Sequence, residues 1–250
     1  MSTLRLFSPE PLRANAGFTL GSEQARYVGR VLRLRPGDAL TVFDGSGGEY
    51  AARIGTITKQ SLQLNVGEHH ARNTESPLRL RLLQAVSRGD RMDIVVQKGT
   101  ELGVGRISPV LTEFSIVKLQ PERAAKRVAH WTKVAASACE QSGRNEMPPI
   151  DAPRPLHEVL YDEASPGDSR ILLDPAAGKP LPSIERPAGQ LTILIGPEGG
   201  LSSNEKEQAQ AAGFEAVSFG PRILRTETAA LAAIASLQSM FGDLGNDVQR

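Results

Sequence analysis

Residues Leu191–Ser203, LTILIGPEGGLSS, pass from five apolar residues through a Gly-Pro loop into the start of a helix. A short unbroken apolar run of this kind suits a strand buried on both faces of a parallel sheet. Ser202 and Glu205 stand at capping-box spacing, so the spacing predicts a helix over Ser203–Ala212. The pattern then repeats. A strand at Ala216–Phe219 runs into Gly220-Pro221-Arg222-Ile223-Leu224-Arg225-Thr226-Glu227-Thr228, and an Ala-rich helix covers Thr226–Phe241. A third strand, Arg170–Leu173, ends in Asp174-Pro175. Glycine lets a ligand approach the backbone closely, and proline stiffens the turn. One Gly-Pro pair is enough merely to end a strand. Three loops at strand ends, with charged side chains among them, favour a site, because ligands of open α/β sheets gather at the carboxyl ends of strands.

Outward from these loops the texture stays the same. Leu78–Val86 and Ile107–Leu111 are strand-like, Asp90–Leu102 is helical, and Pro121–Ser142 is a long helix with proline at its first position. The alternation predicts an α/β domain with a mostly parallel sheet. On the long helix, Val128, Trp131, Val134, Ala135 and Ala138 mark the buried face. The last helix, TAALAAIASLQSMF, is apolar nearly all round and should be buried on every side, either as a central core helix or against a second subunit.

The first 70 or so residues differ. Ala39–Asp44 and Glu49–Ile57 flank Gly45-Ser46-Gly47-Gly48, and Ser61–Val66 alternates like a further strand. A helix over Glu23–Leu34 places Tyr27, Val31 and Leu34 on one stripe and Arg26, Arg30 and Arg33 on its neighbour. Short strands of this kind suggest a small barrel. Residues 67–77 are polar, end in proline and read as a linker. The expected division is therefore 1–72 and 73–250.

Composition sets the outer limits. With 250 residues, 40% hydrophobic and 23% charged, the chain reads as a soluble folded protein of one large or two modest domains. No apolar run approaches the ~18 residues of a membrane span, and the opening MSTLRLFSPEPL lacks the pattern of a secretory signal. Cys139 is the single cysteine, and His69, His70, His130 and His157 show no ligand spacing. These features predict a cytoplasmic protein with no metal. The net charge of +1 conceals a split: residues 1–148 carry 21 basic and 14 acidic side chains, residues 149–250 carry 8 and 14. A basic half attracts polyanions, although chance clustering on solvated surfaces gives the same count. Arg26, Arg30, Arg33, Arg35, Arg88 and Arg91, with the basic face of the long helix, could form a phosphate-contacting surface. Aromatics at 4% argue against base-stacking platforms. The GSGGEY turn lacks the last glycine of a dinucleotide loop, Gly178-Lys179 is followed by Pro180 and so is no P-loop, and no G-x-S-x-G elbow occurs. Kinase, hydrolase and NAD-dependent readings lose their support.

RVLRLRPGD (Arg30–Asp38), RGDRMDIVVQKGTELGV (Arg88–Val104), ACEQSGRNEMP (Ala138–Pro148), LIGPEGGLSSNE (Leu194–Glu205) and FGPRILRTETAALAA (Phe219–Ala233) together resemble the RsmE family. Its members are bacterial 16S ribosomal RNA methyltransferases that modify N3 of uridine 1498 in conventional rRNA numbering. The similarity covers almost the whole chain, and the last two segments are highly specific in combination. Departures are small: Arg88 stands where lysine is common, Gly99 where alanine or serine is more usual, and the N-terminal helix lacks the histidine often seen before RVLR.

The resemblance implies a PUA-like β-barrel followed by a SPOUT-type α/β domain with a C-terminal trefoil knot. It implies S-adenosylmethionine as methyl donor, 16S rRNA of the small ribosomal subunit as partner, and a homodimer with the active site near the subunit interface. Carried over residue by residue, it assigns cofactor binding to Leu173, Asp174, Ile195, Gly196, Pro197, Gly199, Gly200, Phe219, Gly220, Leu224, Thr226 and Thr228. Arg225 is expected near the target base, with Glu227 or Glu198 orienting it or accepting a proton, although Glu227 could simply complement a helix dipole. Arg26, Arg30, Arg33, Arg35, Arg88, Arg91 and Arg144 are the expected RNA contacts. The rivals are a related enzyme acting on a ribose 2′-hydroxyl or on transfer RNA, and a non-catalytic RNA-binding assembly factor.

Overall fold

The computed structural model describes residues 4–87, 89–115, 121–162 and 164–245. The chain forms two compact units, Met1–Glu75 with Ala136–Met147, and Ser76–Ala135 with Pro148–Arg250. The first unit thus takes in a segment from the middle of the chain in addition to its beginning.

In the first unit, β1 (Arg5–Phe7), β2 (Gly17–Leu20), β3 (Ala39–Phe43), β4 (Glu49–Ile57) and β5 (Leu62–His70) make a sheet of order β1-β3-β4-β5-β2. β1 runs parallel to β3 and the other pairs are antiparallel. Register shifts between Tyr50 and Ala52 and between Ile54 and Thr56 curl the sheet. Leu62, Leu64 and Val66 point inward while Gln63 and Asn65 face solvent, and they meet Leu6, Leu40, Val42 and Ile54 in one core.

Two sequence expectations change here. α1 (Ser22–Arg26) continues as a π-helical turn over Tyr27–Val31 and stops, short of Leu34. The wider turn, closed by the Leu32 amide donating to the Tyr27 carbonyl, turns Ala25 and Val28 into the core and leaves Tyr27 40% and Val31 65% exposed. The stripe of Tyr27, Val31 and Leu34 therefore does not form. The segment read as a linker from residue 67 is strand as far as His70, because His69 and His70 pair with Tyr50 and Glu49.

The second unit contains β6 (Leu80–Ala85), α2 (Arg91–Glu101), β7 (Arg106–Leu111), β8 (Arg154–Pro155), α4 (Leu156–Val159), β9 (Ser169–Leu173), β10 (Leu191–Ile195), α5 (Ser203–Ala211), β11 (Glu215–Val217) and α6 (Thr226–Phe241). α3 (Pro121–Ser142) crosses from this unit to the other at Ala136. The sheet is parallel throughout, in the order β11-β9-β10-β6-β7-β8. β6 and β10 lie centrally and are buried along their whole length, which is why their sequences are unbroken apolar runs with few exceptions. Leu83, Val110, Leu172 and Leu194 share a core with Leu156 and Leu160 of the α4 region and Phe214. On α3, Trp131, Ala135 and Ala138 are buried, and Val128 and Val134 only half-buried. α6 is covered only in part. Ala230, Ala233, Ile234, Leu237 and Phe241 are buried, but Leu231, Ala232, Ala235 and Met240 are only half-buried, so a single chain does not cover the helix on every side.

Candidate active site

β11, β9 and β10 are neighbours in the sheet, and the loops that follow them converge on a cavity of about 490 Å³, ample for a small-molecule ligand. Leu173 and Asp174 come from the first loop, Ile195, Gly196, Pro197, Glu198 and Gly200 from the second, and Phe219, Leu224, Arg225 and Thr226 from the third. The three strand-end loops thus meet in one place. Three of the expected cofactor residues stand apart from the wall. Gly199 packs against Phe114, Thr228 is exposed on α6, and Gly220 turns the third loop with a φ of +70°.

A hydrogen-bond chain holds the loops. The Thr226 hydroxyl donates to the Gly196 carbonyl at 2.7 Å and accepts from Gln84 Nε2 at 2.9 Å, tying α6, the β10 loop and β6 together. Gly200, at φ +74°, closes a turn by donating its amide to the Pro197 carbonyl. A Cβ on Gly196 would lie 3.3 Å from Leu201 Cγ and 3.4 Å from the Gly200 backbone, so the turn is built around a bare backbone. Ser202 and Glu205 form the capping box of α5, and Glu205 also accepts the Glu113 amide.

The charges are unevenly satisfied. Lys206 lies 2.7 Å from Asp174 Oδ2. Burial pushes the Asp174 carboxyl up, but Lys206 and the Ala176 amide outweigh it and hold it below its ordinary range. Arg91, expected among the RNA contacts, lines this cavity instead. It pairs with Glu198, and its Nε lies 3.8 Å from Glu227 Oε2. That Glu227 oxygen is buried and makes no hydrogen bond. Arg222 and Arg225 also line the cavity. Both are exposed, and their side chains make no ion pair or hydrogen bond among the described residues. Sequence reasoning missed Arg222 and Ile223, although both stand in the quoted loop, and Lys206, which follows Ser202 by one helical turn.

The remaining arginines divide. Arg26, Arg30, Arg33 and Arg35 are all exposed on the first unit. Arg144 is buried and its Nε holds Glu75 at 2.8 Å, so its guanidinium is committed to a structural ion pair. Arg88 lies outside the described residues.

Comparison with known proteins now decides the family. A family model described as an RNA methyltransferase domain matches residues 74–238, and one described as an RNA methyltransferase PUA domain matches residues 20–67. The ribosomal RNA small subunit methyltransferase E of Buchnera aphidicola subsp. Acyrthosiphon pisum is 32% identical, over 96% of this chain and 94% of its own. The chain belongs to the ribosomal RNA small subunit methyltransferase E family. The crystal structure of the methyltransferase E from Neisseria gonorrhoeae, bound to S-adenosyl methionine, is 40% identical with a TM-score of 0.89, covering 97% of this chain and 99% of that one. The structure of the Legionella pneumophila protein Lpg2936, in complex with the bound cofactor SAM, is 36% identical with a TM-score of 0.91, covering 98% and 100%. The expected architecture of a PUA-like barrel and a SPOUT-type α/β domain is that of this methyltransferase E family member. Among the described residues, no helix is long and apolar enough to cross a membrane, and no three His, Cys, Asp or Glu side chains are grouped to hold a metal.

Proposed function

We propose that the protein transfers a methyl group from S-adenosylmethionine to N3 of a uridine in 16S ribosomal RNA, uridine 1498 in conventional numbering. The observation that carries this reading is the convergence of the Gly-Pro-Glu and Gly-Pro-Arg loops on one cavity in a chain of this family. The cavity suits the donor. Leu173, Ile195, Phe219 and Leu224 offer apolar walls for an adenine ring, and Gly196 and Gly200 keep side chains out of the floor. When bound, the donor supplies a methyl group on a sulfonium for in-line displacement, so positioning is the protein's main work.

Uracil N3 becomes a nucleophile only when it loses its proton, and the resulting charge spreads onto the two flanking carbonyl oxygens. Among the described residues, the Arg225 guanidinium makes no ion pair or hydrogen bond, and its rigid fork of donors suits that anion. Glu198, at the cavity wall, and Glu227, with an oxygen still lacking a donor, are the carboxylates available to orient the base or take its proton. Arg26, Arg30, Arg33 and Arg35 on the PUA-like unit would hold the phosphates of the RNA. The half-buried apolar side of α6 supports a homodimer, and the β10–α6 segment would form the trefoil knot of the family. A ribosomal RNA substrate supports a cytoplasmic location.

Primer extension tests the reading. Small subunits lacking the modification are incubated with the protein and S-adenosylmethionine, and the 16S rRNA is then copied. Methylation at N3 blocks Watson–Crick pairing and produces a stop at the target uridine that requires both protein and donor. Ribose methylation leaves pairing intact, so full read-through would overturn the proposal.

A further inference from the structure

Arg91 is the first residue of α2, Glu198 lies in the loop after β10, and Glu227 lies in the first turn of α6. The fold brings these three separate segments to one guanidinium. Among the described residues, Arg91 is the only cation within ion-pair distance of either carboxylate. The Glu227 side chain is 15% exposed, so a carboxylate there without a cation is costly. Arg91 itself is only 37% exposed and already engaged, whereas Arg222 and Arg225, on the wall of the same cavity, make no ion pair or hydrogen bond among the described residues. A phosphate contact calls for the second condition, not the first.

We propose that Arg91 is a positioning residue for methyl transfer, a brace that holds one carboxylate from each Gly-Pro loop and so leaves Arg225 free for the target base. This rests on the proposed function of the same cavity. Without the brace, Glu198 and Glu227 compete for Arg225 and draw its fork away from the base. A misplacement of about 1 Å costs on the order of a hundredfold in rate. Lysine at position 91 keeps the charge but offers no fork for two carboxylates, so it rescues only part of the loss.

The test is a cycle of the full-length wild type, Arg91→Ala, Arg91→Lys, Glu227→Gln and the Arg91→Ala/Glu227→Gln double variant. Each is read by kcat and KM on small subunits, by the salt dependence of RNA binding, and by thermal unfolding. Arg91→Ala should lower kcat about 10- to 100-fold with KM for RNA and the salt slope unchanged, and Arg91→Lys should recover part of that. In thermal unfolding, Glu227→Gln should offset much of the loss caused by Arg91→Ala. A salt slope reduced by about one with kcat intact would make Arg91 a phosphate contact and overturn the proposal. Additive effects of the two substitutions on unfolding would also overturn it. If the wild type transfers no methyl group, the proposed function fails, and the unfolding cycle still decides whether Arg91 and Glu227 act as a unit.

Discussion

Gly99 occupies the interior of α2, where glycine is costly, and it is buried. A Cβ added there would lie 3.6 Å from Val104 Cγ2, 3.9 Å from Ile234 Cδ1 and 4.0 Å from Ile107 Cδ1, all ordinary van der Waals contacts. Its φ needs no left-handed backbone, since Gly99 is absent from the positive-φ residues of the chain. Gly99→Ala should therefore stabilise. Restricting the unfolded chain contributes about 0.5–1 kcal/mol, and burying one methyl adds about 0.8 kcal/mol as an upper bound. For a chain of this size about 1.5 kcal/mol raises Tm by about 3–6 °C. Trp131 is a built-in probe, because it is buried and its indole N–H donates to Asp93 of α2 itself. Thermal and urea unfolding followed by its fluorescence should show the increase, with the urea slope unchanged. A lower Tm would mean that α2 and α6 lie closer together than the structure has them, and would refute the argument.

Four further outcomes follow from the geometry. Arg144→Ala leaves the half-buried Glu75 carboxylate without its cation and should cost up to about 3–5 kcal/mol in urea unfolding, whereas normal stability with a shallower salt slope would make Arg144 an RNA contact. Reversing Arg30, Arg33 or Arg35 to Glu should lower the slope of log affinity against log salt by about one for each phosphate no longer held, and an unchanged slope in titrations with small subunits would misassign those positions. Arg225→Ala should reduce kcat by on the order of a hundredfold or more while donor affinity, measured by calorimetry, changes only a few-fold; equal loss of both would remove it from the catalytic role. Burial raises the Asp151 and Asp162 carboxyls, but Arg106 and Ser108 on the first and Arg81 and Arg154 on the second outweigh it and hold both below their ordinary range. Their contribution is thus present above about pH 4 and is lost as pH falls through the depressed native values. Asp162→Asn should accordingly flatten the fall of Tm between about pH 4 and pH 2.

Much of the fold was legible because its central elements carry strong local signals. β4, α3, β10 and α6 span the predicted residues, since strands flanking a Gly-rich turn, a proline at the first helical position, an unbroken apolar run and an Ala-rich apolar stretch each announce themselves. β1, β2, β8 and α4 had no such signal, being two to four residues long and set by pairing with distant partners. The π-helical turn at Tyr27–Val31 was also invisible, because periodicity at 3.6 residues places the wrong side chains in the core. The site was legible where it is made of loops in sequence. Arg91 was not, since in the sequence it is one more arginine of a basic half, and only the adjacency of β6 and β10 brings it to Glu198, 107 residues away. The ion pair of Arg144, expected among the RNA contacts, is hidden in the same way, its partner Glu75 lying 69 residues upstream.

The identity of the product nucleoside separates N3 methylation of 16S rRNA from its rivals. Labelled S-adenosylmethionine, small subunits lacking the modification and the purified protein are incubated, and the RNA is digested to nucleosides. Label should appear in 3-methyluridine from 16S rRNA, dependent on Arg225. Label in a 2′-O-methylated nucleoside would contradict the assigned target, and no label despite donor binding would contradict the assigned reaction.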